Sequence, residues 1–236
     1  MNKLLYIFIC VCFISCSLEN EPITPPHEPT PDNRTQEEIN AAVLEVLKEY
    51  APHIVNMDKG IAQVKELMNT LHNVARLKNS PILVSPDLLL YNFFTDEDFG
   101  VQCGGFSRVT FDSLTALGYD ARIMQFFMEI PDGHNANEVK IDEKIYALDT
   151  AHNIMFKDDE GEYLSFKEVK DRLKNGKSLI VEYVGNTQLH LDNYYMPYEQ
   201  YFMYIVRALP FGKGWQVMVE LDIPVYGAEI YYWNND

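Results

Sequence analysis

Cys103, His134 and Asp149 are of the types that could supply a nucleophile, a proton carrier and an orienting carboxylate. Cys103 falls at, or just before, the first turn of a helix marked by Phe106, Val109, Thr110, Leu114 and Leu117. At that end of a helix the backbone N–H groups point outward and the macrodipole favours negative charge. Thiolate, the reactive form of cysteine, is favoured there. Gly104 and Gly105 follow, and are expected to leave the backbone accessible to a substrate. A small buried hydrophobe is the commoner fate of a cysteine outside a disulfide, so the case depends on what stands beside it.

The segment 134–141 and the segment 144–149 read as two strands joined by Asp142-Glu143. A turn centred on that pair sets Ile141 opposite Lys144, Val139 opposite Tyr146 and Ala136 opposite Asp149. His134 then shares a face with Asp149 as a diagonal neighbour, with α-carbons roughly 7–8 Å apart. The carboxylate would fix the imidazole tautomer and stabilise its protonated form, leaving the other ring nitrogen for the thiol. The same face carries Ala136 and Ala147, small enough for the Cys103 helix to pack closely. The Cys103 backbone N–H is one expected oxyanion donor. Gln102, Tyr91 and Asn92 are candidates for a second, Gln102 the weaker because its side chain would face away. A zinc site drawing on Cys103, His134, Asp149 and His152 has none of the usual ligand spacings, so no metal and no cofactor is expected. His152 reads as a loop residue beside the site.

The remaining elements must hold these three side chains together. Thr35 and Glu38 form a capping box ahead of an amphipathic helix over 36–50, with Ile39, Val43, Val46, Leu47 and Tyr50 at helical spacing. A second helix is expected from about Lys59 to Lys78, and a short one after Ser85-Pro86 through Phe94. Gly118 stands where a C-terminal cap glycine belongs, and Ala121 to Phe127 reads as a strand. Ser165 and Glu168 open another helix, to about Leu173. Ser178–Val184, Gln216–Leu221 and Ala228–Trp233 look like strands, and Tyr198–Val206 is compatible with a helix.

The segment from about residue 55 to 155 resembles the transglutaminase-like superfamily of papain-like thiol enzymes. The likeness lies in Gly100 and Cys103 at a helix start, then Leu117, Gly118, Ala121 and Arg122 at a helix-to-strand join. It continues in His134, Asn137, Glu138 and Val139 opening a strand, and in Tyr146, Asp149 and Thr150 at a strand end. The resemblance implies an α+β fold with a papain-like core, its catalytic helix packed on an antiparallel sheet. It implies Cys103 as nucleophile, His134 as base and acid, and Asp149 as the orienting group. The chain departs from the family at Gly104, where an aromatic is frequent, and at His134-Asn135-Ala136, where His-Ala-Trp is frequent; both positions shape the substrate groove. The implied activity is acyl transfer through a thioester, with hydrolysis of a peptide or amide bond preferred. The alternatives are an amine-accepting transglutaminase and a non-catalytic surface binding or scaffold module on the same fold.

Residues 1–15 resemble a bacterial lipoprotein signal peptide, in which Lys3 precedes an apolar run from Leu4 to Ile14. That run is shorter than the about 20 residues a bilayer of roughly 30 Å requires. Phe13-Ile14-Ser15-Cys16 resembles a lipobox, making Cys16 the lipidated first residue of the mature chain. Pro22, Pro25, Pro26, Pro29 and Pro31 then mark a stiff tether over 16–34. One domain is expected over 35–236, with an aromatic-rich region from about 160 whose independence is open. Its end, 192–236, reads more as core than as a stacking platform.

The 236-residue chain carries 19 basic and 35 acidic residues, a net charge of −16. Removal of residues 1–15 takes away Lys3 and no acid, making it −17. Such a surface argues against nucleic acid and against electrostatic docking on anionic lipid. The expected protein is a monomer of the bacterial cell envelope, at the outer membrane or cell surface with the periplasm as the other compartment. It would touch the membrane through its anchor alone and act on a peptide, protein or cell-wall peptide. Cys10 and Cys12 would leave with the signal, so Cys103 would be the one thiol of the folded domain.

Overall fold

The structure, a computed structural model, describes residues 33–74, 84–97, 99–127 and 133–185. The segment expected as a signal peptide, most of the expected tether, the end of the second predicted helix and everything expected after residue 185 lie outside the described residues. Among the described residues the protein is α+β, with a five-stranded antiparallel sheet of order β1-β2-β3-β4-β5.

Helix α1 (Gln36–Tyr50) begins as its sequence requires. The Thr35 hydroxyl accepts from the Glu38 N–H, while the Glu38 carboxylate accepts from the Thr35 N–H at 2.7 Å. Ile39, Val43 and Leu47 are its buried side. Helix α2 (Pro52–Val55) is a short turn missed by periodicity; the Gln63 side-chain amide caps it by donating to the Ile54 carbonyl at 2.8 Å. Helix α3 (Ile61–Val74) starts two residues later than expected, and α4 (Pro86–Thr95) follows Ser85 as predicted.

Helix α5 (Cys103–Ala116) packs on the sheet at β1 (Asp120–Phe127) and β2 (Gly133–Ile141) and is flanked by α1, α3 and α4. Every residue from Gly105 to Leu114 is buried. The apolar stripe marked one face, but the helix is enclosed all round, and several of its polar groups find partners inside. Asn137 of β2 donates to the Ser107 carbonyl at 2.9 Å, and Thr110 donates to Thr150 at 2.8 Å. Gly118 (φ +80°) ends the helix in a Schellman arrangement: its N–H donates to Thr115 and that of Tyr119 to Leu114, each at 2.9 Å.

Strand β3 (Lys144–Asp149) pairs with β2 in the expected register, Ile141 opposite Lys144 and Val139 opposite Tyr146. Asp142 and Glu143 both have positive φ, +48° and +64°, the backbone of a tight two-residue hairpin turn. The ladder extends to Asn137 opposite Leu148, one pair short of Ala136 and Asp149. Strand β4 (Ile154–Lys157) was not anticipated: Ile154, Met155 and Phe156 are all buried, so no alternation marks it. Helix α6 (Phe166–Lys174) and strand β5 (Ile180–Tyr183) lie within their predicted spans, apart from one extra residue at the end of α6.

The sheet has two covered faces. Val139, Leu148 and Met155 join the larger apolar cluster with the buried residues of α1, α3, α4 and α5. Ala136, Ala147, Ile154 and Phe156 join Phe166 and Val169 of α6 in a smaller one. This overturns the expectation that Ala136 and Ala147 make room for the Cys103 helix. They face the α6 side, and α5 rests on the face of Asn137 and Val139.

Candidate active site

Cys103 is the first residue of α5 and is partly buried, with no disulfide. The preceding Gln102 is the N-cap residue in extended conformation, and the Phe106 N–H donates to its carbonyl at 3.1 Å. Its side chain makes no cap hydrogen bond and is exposed. The Gln102 side chain therefore takes up none of the early N–H groups of α5, whose dipoles raise the local potential beside the sulfur.

The two glycines after Cys103 serve packing. A Cβ on Gly105 would stand 2.3 Å from the Val101 Cβ, so the loop before the helix lies directly on it. One on Gly104 would meet the Asn135 side-chain amide at 3.2 Å. The expected open backbone at these positions is thus closed at Gly105 by Val101 and bordered at Gly104 by the residue after His134.

His134 lies near the start of β2 and Asp149 at the end of β3, and both are buried. The His134 Nε2 and the Asp149 Oδ2 are 2.6 Å apart. Cys103 is near enough to the imidazole to act on its charge. With Nε2 committed to Asp149, Nδ1 is the nitrogen left for the sulfur. The structure therefore brings the three side chains singled out in sequence together.

Electrostatics follows from that connection. Burial works to lower the His134 pKa, but the Asp149 charge and hydrogen bond, reinforced by Cys103, push it up to about 10. Burial alone would raise the Asp149 carboxyl, yet the charges of His152 and His134 and their hydrogen bonds hold it well below the ordinary carboxylate value. The favoured state at neutral pH is a charged imidazolium between carboxylate and sulfur.

His152, expected as a loop residue beside the site, bonds directly to the carboxylate. Its ring Nδ1 lies 2.9 Å from the Asp149 Oδ2, and its backbone N–H donates to Oδ1 at 3.1 Å. The available signal was the Asp-x-x-His spacing at a strand end, since aspartate commonly accepts from a nearby backbone N–H in a turn. His134, Asp149 and His152 each place a potential metal-ligand atom within 4.8 Å of the others. In the structure these atoms are used on one another, both imidazoles meeting the same carboxylate oxygen.

Of the oxyanion candidates, Gln102 is adjacent to Cys103. Tyr91 is exposed on α4, its ring 5.9 Å from that of Tyr50 in α1. The α4 face turned to α5 is that of Phe93, whose ring lies 5.8 Å from Phe106. Asn92 is partly buried on the same helix, its carbonyl accepting the Asp96 N–H at 3.1 Å.

No family model and no curated protein matches the chain. Among solved structures it is similar to one from Cytophaga hutchinsonii described as a putative cysteine protease, with 17% identity and a TM-score of 0.37. The match covers 52% of this chain and 40% of that one, so the chain spans less than half the length of that structure.

Proposed function

We propose that the protein is an exported, lipid-anchored thiol acyl-transfer enzyme of transglutaminase-like type, which hydrolyses a peptide or amide bond. The observation that carries this reading is the buried 2.6 Å His134–Asp149 contact, with Cys103 at the N-terminus of α5 near enough to act on the same imidazole. Cys103 thiolate attacks the substrate carbonyl carbon, and the electron pair moves to the carbonyl oxygen. That oxyanion meets the backbone N–H of Cys103, with Gln102, its neighbour in sequence, as a side-chain candidate for a second donor. His134 imidazolium gives its proton to the leaving amine as the carbon–nitrogen bond breaks, leaving a thioester. Neutral His134 then takes a proton from water, the hydroxide adds to the thioester, and Cys103 departs as thiolate while the acid product forms. Asp149 keeps the imidazole oriented and favours its charged form throughout.

Cys16 is the proposed lipidation site, residues 16–34 the tether, and a peptide of the cell envelope the substrate class. The test is alkylation by iodoacetamide at pH 6. An ordinary thiol, with a pKa of about 8.5, is almost wholly protonated there. Cys103 should react about 10–100-fold faster than such a thiol, and His134→Ala should remove most of the advantage. Alkylation at the ordinary rate, or only after unfolding, would sink the enzyme reading in favour of a binding module. An added primary amine separates hydrolysis from transamidation by its incorporation into product.

A further inference from the structure

We propose that His152 is a positioning residue of this site: it fixes the Asp149 carboxylate that holds His134. The inference rests on the thiol-enzyme reading above and adds a fourth side chain to it.

A carboxylate held by one imidazole alone can turn about its last side-chain bond. Asp149 is held at both oxygens by residue 152, through the backbone N–H to Oδ1 and the ring Nδ1 to Oδ2. Oδ2 is thereby presented to the His134 Nε2. The two imidazole rings meet edge to face, with centroids 5.0 Å apart and planes at 63°. An ionised carboxylate oxygen can only accept, so the His152 Nδ1 facing it carries hydrogen.

His152 is itself kept in place by the loop that carries it. The Thr150 carbonyl lies 3.1 Å from the Nδ1 of His72 in α3, and the Thr150 hydroxyl accepts from Thr110 of α5. Asn153 adopts φ +53°, its carbonyl accepting the Val184 N–H at 2.8 Å and its side-chain amide donating to the Val184 carbonyl. The loop between β3 and β4 is therefore tied to α3, to the nucleophile's own helix and to the end of β5. The titratable groups gathered around it are Asp149, His134, Cys103 through His134, and His72.

The experiment is the pH dependence of Cys103 alkylation in the full chain, its wild-type form compared with His152→Ala, His152→Gln and His134→Ala. The expected result is a wild-type midpoint below that of an ordinary thiol, moved up by about one pH unit in His152→Ala, the effect of one weakened charge-assisted contact. His152→Gln, whose amide can still donate to Asp149, should move it less. Near-UV circular dichroism restricts the reading to folded protein, so loss of stability alone does not shift the midpoint. If His152→Ala does not fold, the 15N shifts of His152 in wild type decide: a protonated Nδ1 supports the proposal and an unprotonated Nδ1 overturns it. A His152→Ala midpoint equal to wild type, with His134→Ala clearly shifted, overturns the role of His152 and leaves the triad standing. A wild-type midpoint at the ordinary thiol value, unmoved by His134→Ala, overturns both.

Discussion

Asp149 and His134 tie the chemistry of the site to the pH dependence of folding. His134 is raised from 6.5 to about 10 in the folded protein, so its contribution to stability is complete below about pH 6.5 and is lost as the pH rises through about 10. Asp149 is depressed below 3.8, so its contribution is present above that value and lost as the pH falls through the lowered one. The pair stabilises the fold in full between about pH 4 and 6.5. Urea denaturation of wild type and Asp149→Asn should show the largest difference in that window, shrinking toward pH 10; a constant difference would contradict the linkage. The closeness of His134 and Asp149 was legible in sequence because residue type and hairpin register both constrained it. His152 was not, because its role depends on the loop after Asp149 folding back, and nothing in the apolar pattern reports a turn made by a side-chain carboxylate. The glycines were misread for a related reason. A glycine can mark access or close packing, and only the position of Val101 distinguishes the two.

Helix α5 shows how an element can be located correctly and its environment missed. Its start, its apolar residues and its Gly118 cap could all be placed from local signals, but periodicity weighs apolar residues alone. Arg108 and Asp112 are both buried on this helix and bonded at 2.8 Å. Burial still raises the Asp112 carboxyl, to about 6, against the pull of Arg108. Arg108→Leu would strand a buried carboxylate and should cost about 3–5 kcal/mol at pH 8. The loss should be smaller below pH 6, where Asp112 takes up a proton, and a comparison of denaturation midpoints at the two pH values checks it. Gly105→Ala should also destabilise, by about 1–3 kcal/mol from overpacking against Val101, despite alanine's better helix propensity of about 1 kcal/mol. A thermal midpoint at or above wild type would refute that packing. The β2–β3 turn gives the opposite sign. Glu143 sits at φ +64°, so Glu143→Gly should relieve a left-handed backbone and raise the melting temperature slightly, unless loss of the Lys140–Glu143 contact offsets it. Strand β4 is the element that no local signal could supply, since each of its three apolar residues is buried against one face of the sheet or the other.

At the scale of the whole molecule, the sheet is a partition between a large apolar cluster shared with α1, α3, α4 and α5 and a small one closed by α6. An α+β fold was legible from strands following helices, but two covered faces were not, because that depends on which helices return to which side. The consequence for function is that Cys103, His134, Asp149 and His152 all lie within 103–152, on elements braced from both sides of the sheet. None of them belongs to the proposed tether over 16–34. Anchoring and chemistry should therefore separate cleanly by mutation. Cys16→Ala, expressed in a bacterial host, should abolish labelling by radioactive palmitate and shift the protein from the membrane to the soluble fraction. The pH profile of Cys103 alkylation should stay that of wild type, because the acyl chain and the thiolate are held by different parts of the chain. Retention of the label in Cys16→Ala would remove that cysteine as the anchor. A changed Cys103 profile would show instead that the anchor segment reaches the site, and that the acidic domain does not stand off the membrane on its tether.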